Sequence, residues 1–270
     1  MLADFLSWYL IVLNWLSTLI VGGLSIALFV SFRKKKTTGT LMLFTAYFVL
    51  FINRTLGSTQ KTIQVAASIF NDFGKIITGL AIVIPVLTVV FLYAFACRGI
   101  FKDSEFLRTI TIITISIIIG LSTAIIFMNL YFEIPEGMFS IQANNATDYI
   151  QSYSITFVSI MVLIVQIIIY LRITISSFIL AKNSDEITRK RGFQFIAIGS
   201  LLFLIGGVMI GGMSALELGL GMTIFMETLR RLIFLASYYV LYVGWTLPDW
   251  FRRRLREKSW FEKQYTTPVQ

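Results

Sequence analysis

The sequence predicts an all-α fold: a polytopic bundle of seven transmembrane helices, with the N-terminus outside, the C-terminus cytoplasmic, and a short amphipathic helix at the end. Three observations predict it. Seven apolar stretches follow one another along the 270 residues. The short segments between them carry positive charge on alternating sides. Hydrophobic residues make up 57% of the chain and charged ones 14%, with a mean hydropathy of +0.81, whereas a soluble domain carries about 25% charged residues. Residues 1–248 are expected to form the membrane domain and 249–270 a basic, amphipathic cytoplasmic tail.

A helix needs about 20 mostly apolar residues to cross the hydrocarbon, and helices are the spanning element because lipid offers no partner to a free backbone amide. The alternating ten-residue pattern of an outer-membrane barrel is absent. The first stretch is 5–32. Met1, Leu2, Ala3 and Asp4 precede it without positive charge, and its apolar run is too long for a secretory signal peptide. The second begins at Thr40 and is clearly apolar only to Ile52. The third, 76–97, contains Pro85, an expected kink, and ends at Cys97, expected to be a small buried residue without a disulfide. The fourth is 110–132. The outer loop after it carries the glycosylation acceptor pattern Asn145-Ala146-Thr147. The fifth, 153–181, contains Gln166 and Arg172. The sixth, 193–213, places Gly207 and Gly211 four apart, predicting a face of close helix approach. The seventh is 222–247.

Orientation follows from Lys and Arg. Basic residues at 33–36, at 98, 102 and 108, at 182 and 189–191, and through 252–263 all fall on one side. They are most of the 23 in the chain. That bias puts this side in the cytoplasm and the protein in the cell membrane as a multi-pass chain. It also accounts for the net charge of +9 by topology and an anionic inner leaflet, with no nucleic acid as partner.

Several chemistries are excluded. With no histidine in the chain, His-based metal sites and Ser–His or Cys–His nucleophile systems cannot be built. No G-x-x-x-x-G-K-[ST] phosphate loop occurs. Within the seven stretches Glu227 is the only acid, so the mid-depth carboxylates usual in proton pumps and cation-coupled carriers are missing. The seventh stretch has no lysine to anchor a retinal. No enzymatic activity, cofactor or metal is expected.

Charged groups inside the bilayer cost about 2.5–3.5 kcal/mol on insertion scales, so they are the best functional pointers. Arg54, Lys61 and Lys75 lie at the outer ends of the second and third stretches, and Glu227, Arg230 and Arg231 in the outer turns of the seventh. Together they are expected to line an outward-facing cationic pocket for a carboxylate or phosphate. The plainer expectation is that Glu227 pairs with Arg230 and Arg231 at i+3 and i+4 while the others snorkel to headgroups. Arg172 is expected at the inner interface as an anchor, or facing the bundle and holding two helices in one of two arrangements. Asn14 and Gln166 read as interhelical hydrogen-bonding residues. After Pro248, a helical wheel puts Trp250, Phe251, Leu255 and Phe261 on one face and Arg252, Arg253, Arg256 and Lys263 opposite, as in a helix lying on the inner leaflet.

The run Arg189-Lys190-Arg191 leads into a helix with Gly199 and Gly206-Gly207. The seventh stretch closes on Leu241-Tyr242-Val243-Gly244-Trp245-Thr246-Leu247-Pro248-Asp249-Trp250, followed by arginines. Over nearly its whole length the chain resembles the seven-transmembrane sensor region at the N-terminus of many archaeal and bacterial histidine kinases, here without a kinase domain. The resemblance implies an integral membrane sensor that passes a ligand or membrane signal to a separate cytoplasmic signalling protein. Arg189, Lys190, Arg191, Arg252, Arg253 and Arg256 are then expected to contact that partner or the membrane surface. The lipid bilayer and an anionic small molecule are the other expected partners. A small-solute transporter or channel, or a non-catalytic subunit of a membrane complex, are the alternatives.

Overall fold

The structure, a computed structural model, describes residues 2–67, 72–101, 103–132, 134–135, 137–147, 150–215 and 220–255. Among them are seven long helices: α1 (Leu2–Lys35), α2 (Thr38–Ala67), α3 (Asp72–Ala96), α4 (Glu105–Tyr131), α5 (Thr156–Lys182), α6 (Ile187–Ala215) and α7 (Leu220–Thr246). A five-residue π-helical turn, Cys97–Phe101, continues α3. A short helix, α8 (249–255), follows α7.

The breaks between helices have local causes. Lys36 adopts a positive φ of 49° and its N–H still reaches Phe32 O at 2.7 Å, closing α1. The Thr37 hydroxyl then accepts from Thr40 N–H at 3.3 Å, starting α2 as a Thr N-cap does. Ser104 caps α4 by accepting from Leu107 N–H. Leu247, at φ 44°, ends α7 just before Pro248, where the ring disfavours a helical conformation for the preceding residue.

Five helices are long and apolar enough to cross a membrane: Ser7–Lys34, Thr38–Ala66, Glu105–Asn129, Thr156–Lys182 and Ile187–Met209. Among the described residues of α3, Val83–Ala96 is a shorter apolar stretch. α7 falls outside this set, and Glu227, Arg230 and Arg231 within it lower its apolar character. The apolar second stretch was expected to end at Ile52, yet α2 continues for four more turns. There the hydroxyls of Thr55 and Thr62 donate to carbonyls one turn back, Phe51 O at 2.9 Å and Ser58 O at 2.8 Å. Such bonding satisfies polar side chains within the helix itself.

The all-α expectation needs one correction. Between α4 and α5 an antiparallel hairpin forms from β1 (Ile141–Thr147) and β2 (Ile150–Ile155). The fifth helix therefore begins at Thr156, because 153–155 belong to the hairpin. β2 touches α2, α3 and α5, and β1 touches α7. Asn145 lies in β1; its side chain is outside the described residues.

α1 packs on α2, α2 on α3, α5 on α6 and α6 on α7, and α7 returns to α1. α3 joins the two halves by also contacting α5. Val21, Val86, Val89, Tyr93, Val158 and Ile173 are the buried centre. α4 packs more loosely, and Ile110, Ile113, Ile117 and Leu121 remain exposed along one of its faces, an apolar stripe suited to lipid.

Among the described residues, the close-packed seam of α6 does not run through Gly207. A Cβ at Gly207 would meet only Leu163 Cδ1 at 3.8 Å, and the side-chain position of Gly211 lies outside the described residues. The seam is instead Gly192, Gly199 and Gly206, seven residues apart, facing α7. A Cβ on Gly199 would sit 2.9 Å from Leu241 N, and one on Gly244 would sit 2.8 Å from Ile196 N and 3.1 Å from Gly192 O. Ser237 Oγ donates across the seam to Gly199 O at 2.8 Å. Backbone cannot yield as a side chain can. Gly244→Ala should therefore destabilise the bundle by about 1–3 kcal/mol, the usual cost of overpacking. Gly207→Ala should be neutral or stabilising, since alanine gains up to about 1 kcal/mol over glycine in a helix. Unfolding titrations in mixed micelles check both signs.

Candidate functional site

One face of α7 carries Glu227, Arg230, Arg231, Phe234 and Tyr238, spaced at three, four, seven and eleven residues from the glutamate, which is a single helical stripe. On α2, Tyr47, Arg54 and Lys61 repeat every seven residues. Arg54 lies roughly 24 Å along the axis from Thr38, at 1.5 Å per residue. These stripes and Asn14 of α1 meet in one cluster at the end of the bundle remote from the basic loops.

Arg231 is buried, with its side chain 8% exposed. It donates through Nε to Glu227 Oε2 at 3.2 Å, through Nη1 to Leu10 O at 3.1 Å, and to Asn14 Oδ1. Arg230 Nη2 donates to the same Glu227 oxygen at 2.5 Å. Arg54 Nη2 donates to the Tyr238 hydroxyl at 2.8 Å, and its guanidinium carbon stands 5.8 Å and 5.7 Å from the Phe234 and Tyr238 ring centroids. Lys61 is within electrostatic reach of Arg54, Glu227, Arg230 and Arg231. It makes no ion pair among the described residues. Beneath the cluster lie stacked aromatics: Phe234 edge-on to Phe203 at 5.2 Å, and Phe203 stacked on Tyr170 at 3.9 Å.

The charge balance is uneven. Among the described residues, four cations, Arg54, Lys61, Arg230 and Arg231, gather at this cluster with one carboxylate, that of Glu227. Buried donor atoms remain without partners on Arg54 Nε, Arg230 Nε and Asn14 Nδ2. The i+3 and i+4 pairs of Glu227 are present, and Asn14 bonds between helices as its lone polarity predicted. Arg231 and Arg54, however, turn inward to α1 and α7 and do not snorkel outward. α1 also borders α7, and α3 meets α7 through Phe95, edge-on to Trp245 at 4.8 Å. Lys75 belongs to α3, but its side chain lies outside the described residues.

At the opposite end, reasoning from sequence missed a residue. Asp103 follows the π-turn, and its side chain is only 4% exposed. Its carboxylate accepts from Arg172 of α5, from the Tyr93 hydroxyl at 3.1 Å and from Cys97 Sγ at 3.6 Å. The Arg172 guanidinium also lies 4.3 Å from the Phe101 ring centroid. Arg172 therefore holds two helices together and is more than an interfacial anchor. The available signal was an acid, beside Glu105, within the basic segment 98–108. A π-turn often marks a functional position.

The basic end carries Arg189, Lys190 and Arg191 at the start of α6 and Arg252 and Arg253 on α8. Arg191 donates to Gln194 Oε1 at 3.0 Å. Phe251 packs edge-on against Phe195 of α6 at 5.1 Å, while Trp250 is 54% exposed. Phe251 and Trp250 were expected to share a lipid-facing surface, but Phe251 docks on the bundle. Arg256, Phe261 and Lys263 lie outside the described residues. No protein-family model, curated protein or solved structure matches this chain.

Proposed function

We propose that this protein is a seven-span sensor of the cell membrane, N-terminus outside, that binds an anionic group at its outer end and signals to a separate cytoplasmic partner at its basic end. The observation that carries the reading is the surplus of cations around Glu227 among the described residues, within helices whose apolar character otherwise suits lipid. A carboxylate or phosphate would supply the missing counter-charge to Arg54, Lys61 and Arg230. It would compete with Glu227 for the α7 arginines, and α7 runs from this cluster along the glycine seam to α8. A ligand that binds one packing of α7 better than another shifts the population between them. Lys190, Arg191 and Arg253, all exposed, are available to an acidic partner surface.

The test is anion binding by the purified protein in detergent, read as thermal stabilisation by inorganic phosphate and by acetate. Wild type should be stabilised by at least one of them. Arg54→Ala should weaken that binding about tenfold, as expected for the loss of a charge-assisted hydrogen bond. Its fold should persist, since Arg54 makes one hydrogen bond to the protein. Absence of stabilisation in wild type would overturn the reading. Accumulation of labelled phosphate in proteoliposomes would favour a transporter.

A further inference from the structure

The turn out of α7 leaves a cleft of about 510 Å³ at the basic end, lined by Glu186, Thr188, Arg189, Leu247 and Arg252. Its two walls come from the start of α6 and from the Leu247–Pro248 turn. Both arginines lack a carboxylate partner among the described residues, and neither pairs with Glu186 despite its place in the same wall. Arg252 Nη2 makes one long contact, 3.4 Å to Thr246 O, and its Nε is buried without a partner. The Arg189 guanidinium carbon is 5.7 Å from the Phe193 ring centroid, which holds it near the wall without satisfying its donors. Next to Arg252 in the chain, Trp250, Arg253 and Arg254 are exposed.

We propose that this cleft binds the headgroup phosphate of an anionic phospholipid. Two planar guanidinium forks on opposite walls match the oxygens of one phosphate, and the Thr188 hydroxyl adds a donor within the same wall. The size suits a headgroup, since small-molecule sites run from about 300 to 1,000 Å³. The lipid source is favoured over free phosphate by place. The cleft sits at the ends of the apolar helices α6 and α7, where acyl chains would lie along the bundle, and tryptophan beside arginine is the usual dress of a membrane interface. Glu186 disfavours a multiply charged free anion more than a phosphodiester. The site stands apart from the outer cluster and does not depend on it.

The test uses the full chain in detergent, titrated with short-chain phosphatidylglycerol and phosphatidylcholine and read by native mass spectrometry. Phosphatidylglycerol should bind about tenfold tighter than phosphatidylcholine. Arg189→Gln and Arg252→Gln should each weaken it about fivefold, the effect of one basic residue near an anionic headgroup. Lys182→Gln, exposed at the end of α5, should leave it within about twofold. Arg189 is exposed, so its replacement leaves folding intact and keeps the test open should Arg252→Gln unfold. No preference for phosphatidylglycerol, or an equal loss in Lys182→Gln, would overturn the site. Inorganic phosphate that displaces phosphatidylglycerol at equal concentration would overturn the lipid assignment.

Discussion

Arg172→Ala should lower the stability of the bundle by about 3–5 kcal/mol, the cost of leaving one member of a buried ion pair alone. The burden falls on Asp103. Its carboxylate is nearly inaccessible, while the Arg172 side chain is 35% exposed. Without Arg172, Asp103 keeps only the Tyr93 hydroxyl and the Cys97 thiol, and neither carries positive charge. The converse variant should cost less. In Asp103→Asn the arginine can turn its exposed portion toward water or headgroups, and its contact with the Phe101 ring survives. The double variant should recover part of the loss, because the isolated charge is gone. Unfolding titrations of the four proteins in mixed micelles measure the coupling directly. Strict additivity would show that the pair does not join α5 to the π-turn energetically.

The helices were legible in the sequence because hydropathy is a sum over about 20 residues and survives local exceptions. α1, α4, α5 and α6 appear close to where apolar length puts them. What was not legible depended on contacts between distant residues. The end of α2 was hidden because the polar residues after Ile52 break the apolar run, and hydropathy alone does not show that the helix continues through them. The hairpin was hidden because Ile141–Ile155 mixes polar and apolar residues without a clear period. The glycine seam illustrates the same limit. Gly207 and Gly211 have the familiar four-residue spacing, yet the close approach runs along Gly192, Gly199 and Gly206, since only the partner helix decides which stripe of α6 is buried. Asp103 carries no signal of its own beyond its sign, and its importance arises from Arg172, 69 positions away. The outer cluster was the reverse case. Its members could be named because ionisable residues in apolar stretches are rare. Their pairing with α1, by contrast, could not be read, because a backbone acceptor such as Leu10 O has no sequence signature.

Glu227→Gln should have an effect as large as the loss of Arg172, and its sign under added anion distinguishes structure from function. Glu227 Oε2 accepts from both Arg230 and Arg231. Glutamine keeps the shape and one acceptor but removes the only negative charge that the described residues place among four cations. In water such repulsion is about 1 kcal/mol for charges 4 Å apart, but it grows several-fold at the effective dielectric of a protein. A loss of about 3–5 kcal/mol follows in the absence of ligand, as for other buried pairs broken on one side. Arg230 can relieve part of it, since its side chain is 19% exposed, so Glu227→Gln combined with Arg230→Gln should be more stable than Glu227→Gln alone. Arg231 has no such freedom, held by Leu10 O and Asn14. If the cluster binds a carboxylate or phosphate, the uncompensated charge of Arg230 and Arg231 makes it a better anion site than in wild type. Ligand stabilisation grows as RT ln(1 + [L]/Kd), so acetate or phosphate should raise the unfolding midpoint of Glu227→Gln more than that of wild type. A midpoint that rises equally in both would leave Glu227 as a structural counter-ion only, and the outer cluster would then be a packing device and not a receptor site.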